Sequence, residues 1–283
     1  MAEWRYQLVN VFAHEGDLSG NPLCVFEDAA DLDTATMQAL ALQFNLSETT
    51  FVLPSDRADA RVRIFAPSGE MPFAGHPTLG TAAVVAAARG LGGTVRLEMN
   101  AGIVPVARTG EVWTFEAPPA QWRPAGASPA ELAAMLGLEP DDLAPGAAWV
   151  STGNEQLLVP LVSVAALTRA CPVPALAARH GNDRGMVKIF CFAENASQRW
   201  AVRFFFEKTT GVIAEDPGTG SACANLGGWW LSMRRPLPLS LVLEQGDHLG
   251  RACRLVLSVQ APARIGVGGR VVHLGGGTLR LDD

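Results

Sequence analysis

The sequence predicts an α+β protein of two similar halves, each a sheet curled around a central apolar helix, and three observations carry that reading. The first is a repeated motif. His76-Pro77-Thr78-Leu79-Gly80-Thr81-Ala82-Ala83 aligns without gaps on Asp216-Pro217-Gly218-Thr219-Gly220-Ser221-Ala222-Cys223, with proline, glycine, a hydroxyl and alanine in register. The offset, 216 minus 76, is 140 residues, close to half of the 283-residue chain and far longer than a solenoid unit. The second is a weaker echo upstream. Ser19-Gly20-Asn21 leads into Leu23-Cys24-Val25-Phe26, and Thr152-Gly153-Asn154 leads into Leu157-Leu158-Val159. The third is the helix that begins near Pro77: from Leu79 to Ala88 it is alanine-rich and uncharged, so it is expected to be buried on every side. Two domains follow, 1–118 and 119–283, with the final strand free to pair back with the first half.

Taken in order, Gln7 to Phe12 reads as a first strand, and Leu23 to Phe26 as a short return strand after a glycine-containing loop. Met37, Leu40, Ala41 and Phe44 fall at helical spacing, with Asp33 placed to cap the start. Asn45-Leu46-Ser47 breaks that helix, and Thr49 to Leu53 has the β-branched and aromatic content of a strand. Glu48 therefore sits at the handover, where a carboxylate reads first as a solvated loop residue. Further strands are expected at Arg61–Phe65, Thr94–Met99, Ile103–Ala107 and Val112–Glu116. Pro118-Pro119 through Pro124-Ala125-Gly126 reads as the inter-domain linker. Ser128-Pro129-Ala130-Glu131 is a capping box with proline at the first helical position, and Gly137 ends that helix. Helical patches at Val164–Ala170 and Ala175–His180 precede strands at Val187–Phe192 and Ala201–Glu207. After the helix expected at Pro217 come strands at Leu255–Val259, Arg264–Val267 and Arg270–Leu274. Gly266-x-Gly268-Gly269 reads as a hairpin between the last two.

Composition narrows the class. Apolar residues make up 48% and charged residues 18%, which is globular. A net charge of −6 gives no general attraction to nucleic acid or anionic membrane. Met1-Ala2-Glu3-Trp4-Arg5 carries no secretory pattern, and five scattered cysteines fit reduced thiols. A cytoplasmic protein that binds neither nucleic acid nor membrane is expected.

The second copy of the repeat also carries the chemistry. Pro217 suits a first helical turn, and Gly218 and Gly220 leave backbone N–H groups open to an approaching anion. Taken alone, the stretch also reads as an ordinary helix capped by Asp216. Two such helix mouths facing one cleft would set His76 on one lip and Asp216 on the other. Familiar alternatives drop out: there is no P-loop lysine, no Gly-x-Ser-x-Gly elbow and no close histidine pair for zinc. Cys223 reads as a small thiol packed in a helix core rather than a nucleophile. What remains is an acid–base set, Glu48, His76 and Asp216, suited to moving a proton on a carbon next to a carboxylate.

Four motifs then resemble one family. Ser19-Gly20-Asn21-Pro22, Asn45-Leu46-Ser47-Glu48-Thr49, Pro72-Phe73-Ala74-Gly75-His76-Pro77-Thr78-Leu79-Gly80 and Glu215-Asp216-Pro217-Gly218-Thr219-Gly220-Ser221-Ala222 look like the hallmarks of the PhzF-like (phenazine biosynthesis) isomerases. The likeness continues to Glu244-Gln245-Gly246 and Gly250-Arg251, although Ala252-Cys253 follows where the family usually has Pro-Ser. The resemblance implies the diaminopimelate-epimerase-like fold, with two pseudo-symmetric domains, each a curled, mostly antiparallel, barrel-like sheet. It also implies cofactor-free isomerisation and a homodimer. Carried over by position, Glu48 would shuttle the proton, His76 and Asp216 would bind and polarise the substrate, and Ser47, Gly75, Gly220 and Ser221 would line the site. The related epimerases use two cysteines as bases, and this chain has Gly75-His76 and Asp216 there instead. A non-catalytic binder of small acids on the same fold is the other reading, and an intact Glu48–His76–Asp216 set favours the enzyme.

Overall fold

The computed structural model describes all residues except 1, 17, 183, 282 and 283. The chain clusters into two compact units, residues 1–116 with 268–283, and residues 117–267.

The first unit contains β1 (Ala2–Val11), β2 (Asn21–Phe26), α1 (Thr34–Phe44), β3 (Thr49–Leu53), β4 (Ala60–Ala66), β5 (Gly69–Met71), α2 (Gly75–Arg89), β6 (Thr94–Met99), β7 (Gly102–Thr109) and β8 (Val112–Glu116). Neighbours pair antiparallel, except β2 with β3 and β4 with β6, which run parallel. Helix α2 is buried from Gly75 to Ala86, as its uncharged sequence predicts, although Ala87 and Ala88, the end of the uncharged run, are exposed. Gly80 explains how it comes so close to the sheet: a Cβ there would meet Leu23 Cδ2 at 2.6 Å and Val11 Cγ2 at 2.9 Å. On the other face of the sheet, α1 covers Phe26, Phe51 and Phe65, with Met37, Leu40 and Ala41 turned inward. Burial of each such side chain is worth about 1.5–3 kcal/mol. Asp33 caps α1 by accepting from Thr36 N at 2.7 Å, and Asn45 ends it at φ 51°.

The second unit repeats this order. It contains β9 (Gln121–Pro124), α3 (Pro129–Leu136), β10 (Ala148–Ser151), β11 (Glu155–Pro160), α4 (Val164–Arg169), α5 (Pro174–Ala177), β12 (Lys188–Ala196), β13 (Arg199–Thr209), β14 (Val212–Asp216), α6 (Gly220–Ser232), β15 (Leu239–Gln245) and β16 (Cys253–Gln260). From β10 to β16 the pairings match those from β1 to β7 one for one: β11 with β12 and β13 with β15 are parallel, the rest antiparallel. Helix α6 takes the place of α2. Gly228 lets it lie against β9 and β10, since a Cβ would meet Ala120 Cβ at 2.6 Å and Val150 Cγ1 at 2.9 Å. Leu136, Trp149, Leu157, Ile189, Cys191 and Phe205 fill the core on the opposite face of the sheet. The last strand, β17 (Arg264–Leu281), passes into the first unit at Gly268, where it pairs antiparallel with β1 and also pairs with β8. The sheet of that unit thereby closes as an eight-stranded barrel around α2.

Three local expectations change. Gly268 and Gly269 make no hairpin: they lie inside β17, where Gly269 is pressed on Phe12 and Gly268 on the Trp113 carbonyl. The proline-rich stretch taken as a linker contains β9, paired with β10 from Gln121↔Ser151 to Pro124↔Ala148. Helix α6 starts at Gly220 rather than Pro217, because Asp216 is held as the last residue of β14, opposite Phe204. No helix among the described residues is long and apolar enough to cross a membrane.

Candidate active site

The two central helices, like the short α5, start without a side-chain cap. On α1, α3 and α4 a side chain caps the N-terminus, through Asp33, Ser128 and Ser163. On α2 and α6 the capping positions, Ala74 and Thr219, make no side-chain cap hydrogen bond. Neither central helix is therefore capped by the side chain at its capping position, and its first turn carries the positive end of the helix dipole. Gly75 is the first residue of α2, and Gly220 and Ser221 are the first two of α6.

In the first unit, β3 delivers Glu48 to the start of α2. Residues of β3 alternate across the sheet: Phe51 enters the core under α1, whereas the Thr50 hydroxyl meets the Thr81 hydroxyl of α2 at 2.8 Å. Glu48 lies two residues before Thr50, on the α2 side. Its Oε2 is 3.4 Å from His76 Nδ1, with the two side chains 16% and 6% exposed. The solvated-loop reading of Glu48 is thus corrected. Burial drives His76 down to about pH 3, with the Pro22 backbone pulling weakly the other way, so the imidazole is neutral at pH 7. Ser47 is exposed beside the pair, and Gly75 is buried.

In the second unit, Asp216 stands four residues before the first residue of α6. Its carboxylate accepts from the Thr219 hydroxyl, which is why Thr219 does not cap the helix. Gln245, fully buried at the end of β15, pins this loop: its Nε2 donates to the Asp216 carbonyl at 2.7 Å and to Thr219 Oγ1 at 3.0 Å, while its Oε1 accepts from Thr219 N at 3.1 Å. Glu215 is clamped by Arg203, whose Nε and Nη2 reach its two oxygens at 3.0 and 2.8 Å. Ser221 belongs to a second buried set. Gln156 Nε2 donates to Ser221 Oγ at 2.9 Å, and Asn225 Nδ2 donates to Gln156 Oε1 at 2.8 Å. Asn225 also accepts from Thr152 N and Oγ1 at 2.8 Å each.

Gln245, Gln156 and Asn225 are the residues that sequence reasoning leaves without a role. The alternation Leu239, Leu241, Leu243, Gln245, buried throughout, is a signal that could have marked β15 and singled out its last member. Cys223 is wholly buried and its thiol is pushed up by burial, which excludes a thiolate nucleophile. No cluster of ligating side chains that could hold a metal occurs among the described residues.

Comparison with known proteins agrees with these features. Residues 9–277 match the family model described as phenazine biosynthesis-like protein. The chain is 39% identical to an uncharacterized isomerase of Pasteurella multocida, over 99% of this chain and 95% of that one. It is 38% identical to a trans-2,3-dihydro-3-hydroxyanthranilate isomerase of Pseudomonas aeruginosa, over 89% and 88%. Among solved structures, a Bacillus anthracis phenazine biosynthesis protein of the PhzF family superposes with a TM-score of 0.87 at 26% identity, covering 99% of this chain and all of that one. The fold is diaminopimelate-epimerase-like.

Proposed function

The chain belongs to the phenazine biosynthesis-like protein family and is an isomerase, and on that premise we propose that it moves a proton between carbons of a small carboxylic acid, with Glu48 as the shuttling acid/base and no cofactor. The observation that carries this is the Glu48–His76 pair at the uncapped start of α2. A carboxylate takes the proton from the carbon next to the substrate carboxylate and returns it to a second carbon, so Glu48 ends the cycle as it began. His76, kept neutral by burial, stands 3.4 Å from Glu48 and adds no charge beside it. That leaves the proton on Glu48 free to move, where an imidazolium would hold the carboxylate ionised. Asp216, Ser47, Gly75, Gly220 and Ser221 bind and orient the same substrate, whose negative charge the positive dipole ends of α2 and α6 favour. The cyclic amino acid named for the Pseudomonas relative supports that substrate class.

The experiment is solvent-deuterium incorporation into a panel of small carboxylic acids that begins with trans-2,3-dihydro-3-hydroxyanthranilate. Glu48→Gln keeps shape and hydrogen-bonding reach but cannot carry a proton. Turnover is expected to fall roughly a hundredfold or more, the scale of a lost general acid–base, with little change in affinity. A Glu48→Gln enzyme exchanging at the wild-type rate would move the proton-carrying role to Asp216.

A further inference from the structure

Within the second unit the direction of a chain of hydrogen bonds can be read outward from the backbone, where an N–H only donates and a carbonyl only accepts. Thr152, Gln156 and Asn225 are buried, and with Ser221 they all lie in that unit. The Thr152 N–H meets the Asn225 side chain at 2.8 Å, so the Asn225 atom that receives it is the oxygen. Its nitrogen is then the atom that meets the Asn154 carbonyl, also at 2.8 Å, and the two ends agree. The same nitrogen donates to Gln156 at 2.8 Å, which makes the facing Gln156 atom Oε1 and leaves Nε2 for Ser221 at 2.9 Å. An amide nitrogen cannot accept. Ser221 Oγ therefore accepts, and its own hydrogen meets no acceptor among the described residues.

We propose that Gln156 and Asn225 are positioning residues that hold the Ser221 hydroxyl as a donor, so that Ser221 selects an acid by an acceptor oxygen. The inference rests on the binding role given to Ser221 above, and adds which way its bond to the ligand runs and what sets that direction. Gln156 and Asn225 are fully buried, whereas Ser221, in the first turn of α6, is partly exposed. The chain of bonds thus runs from the core to a donor that a ligand can reach. Such a donor suits an ionised carboxylate, whose oxygens only accept, and a hydrogen bond to a charged group is roughly twice as strong as a neutral one. A hydroxyl left to rotate would serve a donor as readily as an acceptor.

The neighbouring hydroxyl shows the opposite outcome of the same device. Gln245 is oriented by Thr219 N and by the Asp216 carbonyl, and its nitrogen donates to Thr219 Oγ1 at 3.0 Å. Thr219 then gives its hydrogen to the Asp216 carboxylate, inside the protein. Two glutamines orient two hydroxyls, and only the Ser221 hydrogen is left over. Tying α6 to the sheet does not need the Ser221 step, since Thr152 and Asn154, between β10 and β11, already hold Asn225.

The test is a double-mutant cycle on wild type, Ser221→Ala, Gln156→Met and the double variant, read by calorimetry with anthranilate and malonate. Ser221→Ala is expected to weaken at least one probe about tenfold or more, the scale of a hydrogen bond to a charged group, and Gln156→Met roughly three- to tenfold. Because Gln156 acts through Ser221, the double variant should bind no more weakly than Ser221→Ala alone. Gln156→Asn, polar but too short to reach Ser221, repeats the cycle and stands in for Gln156→Met should that variant not fold. Losses that multiply overturn the inference, since a general loosening of the fold would act whether or not Ser221 is present. A wild type that binds neither probe overturns it too. An effect of Ser221→Ala with none from the Gln156 variants overturns the inference alone, whereas Ser221→Ala at wild-type affinity also removes the binding role given to Ser221. Exchange by Glu48→Gln reports separately on the shuttle.

Discussion

The two units use one strand order and put opposite charges at corresponding positions. In the first, Glu48 precedes β3 and faces a neutral His76 at 3.4 Å. In the second, Lys188 begins β12, the second residue of α6, matching His76 of α2, is Ser221, and Asp216 ends β14, held by Thr219 and Gln245. The surroundings differ in the same sense. The first pair sets an acid beside an imidazole too buried to ionise, which suits the proton-carrying role proposed for Glu48. The second is built to fix charges: a bidentate Arg203–Glu215 clamp, a triply bonded Gln245 and a lysine tied to Asn154. The frame is common to both units, and under the proposed function the residues at the two helix mouths divide the work, proton transfer in one unit and recognition in the other.

Breaking the recognition side is expected to have the largest effect. Asp216→Asn keeps the side-chain shape but removes the charge that accepts from Thr219. Because Asp216 is assigned to binding and polarisation together, both KM and kcat should suffer, with kcat/KM down roughly a hundredfold or more. Circular dichroism and thermal midpoint should stay near wild type, since Gln245 grips the Asp216 backbone carbonyl and not the carboxylate. A variant with unchanged kcat/KM would remove Asp216 from the machinery and leave the second unit without its charged lip.

How much of this was legible in the sequence depends on distance along the chain. The repeat was readable because its marks, Pro77 with Gly80 and Pro217 with Gly220, lie within a few residues of each other; of these Gly80 sets the packing of α2, while α6 packs through Gly227 and Gly228. The place of Glu48 was readable as a handover, but its partner was not, since His76 is brought to it only by the barrel. Asp216 shows a local rule losing to a tertiary one: Asp-Pro reads as a helix start, yet pairing of β14 with β13 keeps Asp216 extended and delays α6 to Gly220. Gln245 lies 29 residues from Asp216, and nothing local marks it as the group that pins that loop. Lys188 reads as an ordinary strand start, and only the paired ladders, Cys24 with Thr49 and Leu157 with Ile189, show that it corresponds to Glu48.

A smaller effect should sharpen the contrast from the proton-transfer side. His76 has its folded-state value pushed down to about 3 from an ordinary 6.5, so the unfolded chain binds a proton that the folded one refuses. Stability from the neutral imidazole is complete above pH 6.5 and is lost as pH falls from there towards 3, at up to about 1.4 kcal/mol per pH unit. His76→Gln removes that titration. Urea midpoints measured at pH 7, 6, 5 and 4 should fall more steeply for wild type than for the variant, so that any wild-type advantage at pH 7 narrows on acidification. Parallel curves would mean that His76 is protonated in the folded state, and Glu48 would then face a cation after all.

The smallest expected effect concerns α3, which lies between β9 and β10 and has no counterpart before β1. It is capped where the central helices are not. Ser128 Oγ accepts from Glu131 N at 3.3 Å, and Glu131 Oε2 accepts from Ser128 N at 2.8 Å and from its hydroxyl at 2.7 Å. Leu132, Met135 and Leu136 are buried in the outer core, on the sheet face away from α6. If α3 is scaffold alone, Ser128→Ala should cost about 1 kcal/mol of stability, the usual loss for a capping residue, and leave proton exchange and acid binding at wild-type values. Thermal melts and the deuterium assay on the same preparation read both quantities. A loss of exchange larger than the loss of stability would show that the start of α3 reaches the chemistry, and the division of work between the two units would then extend to an element that only one of them carries.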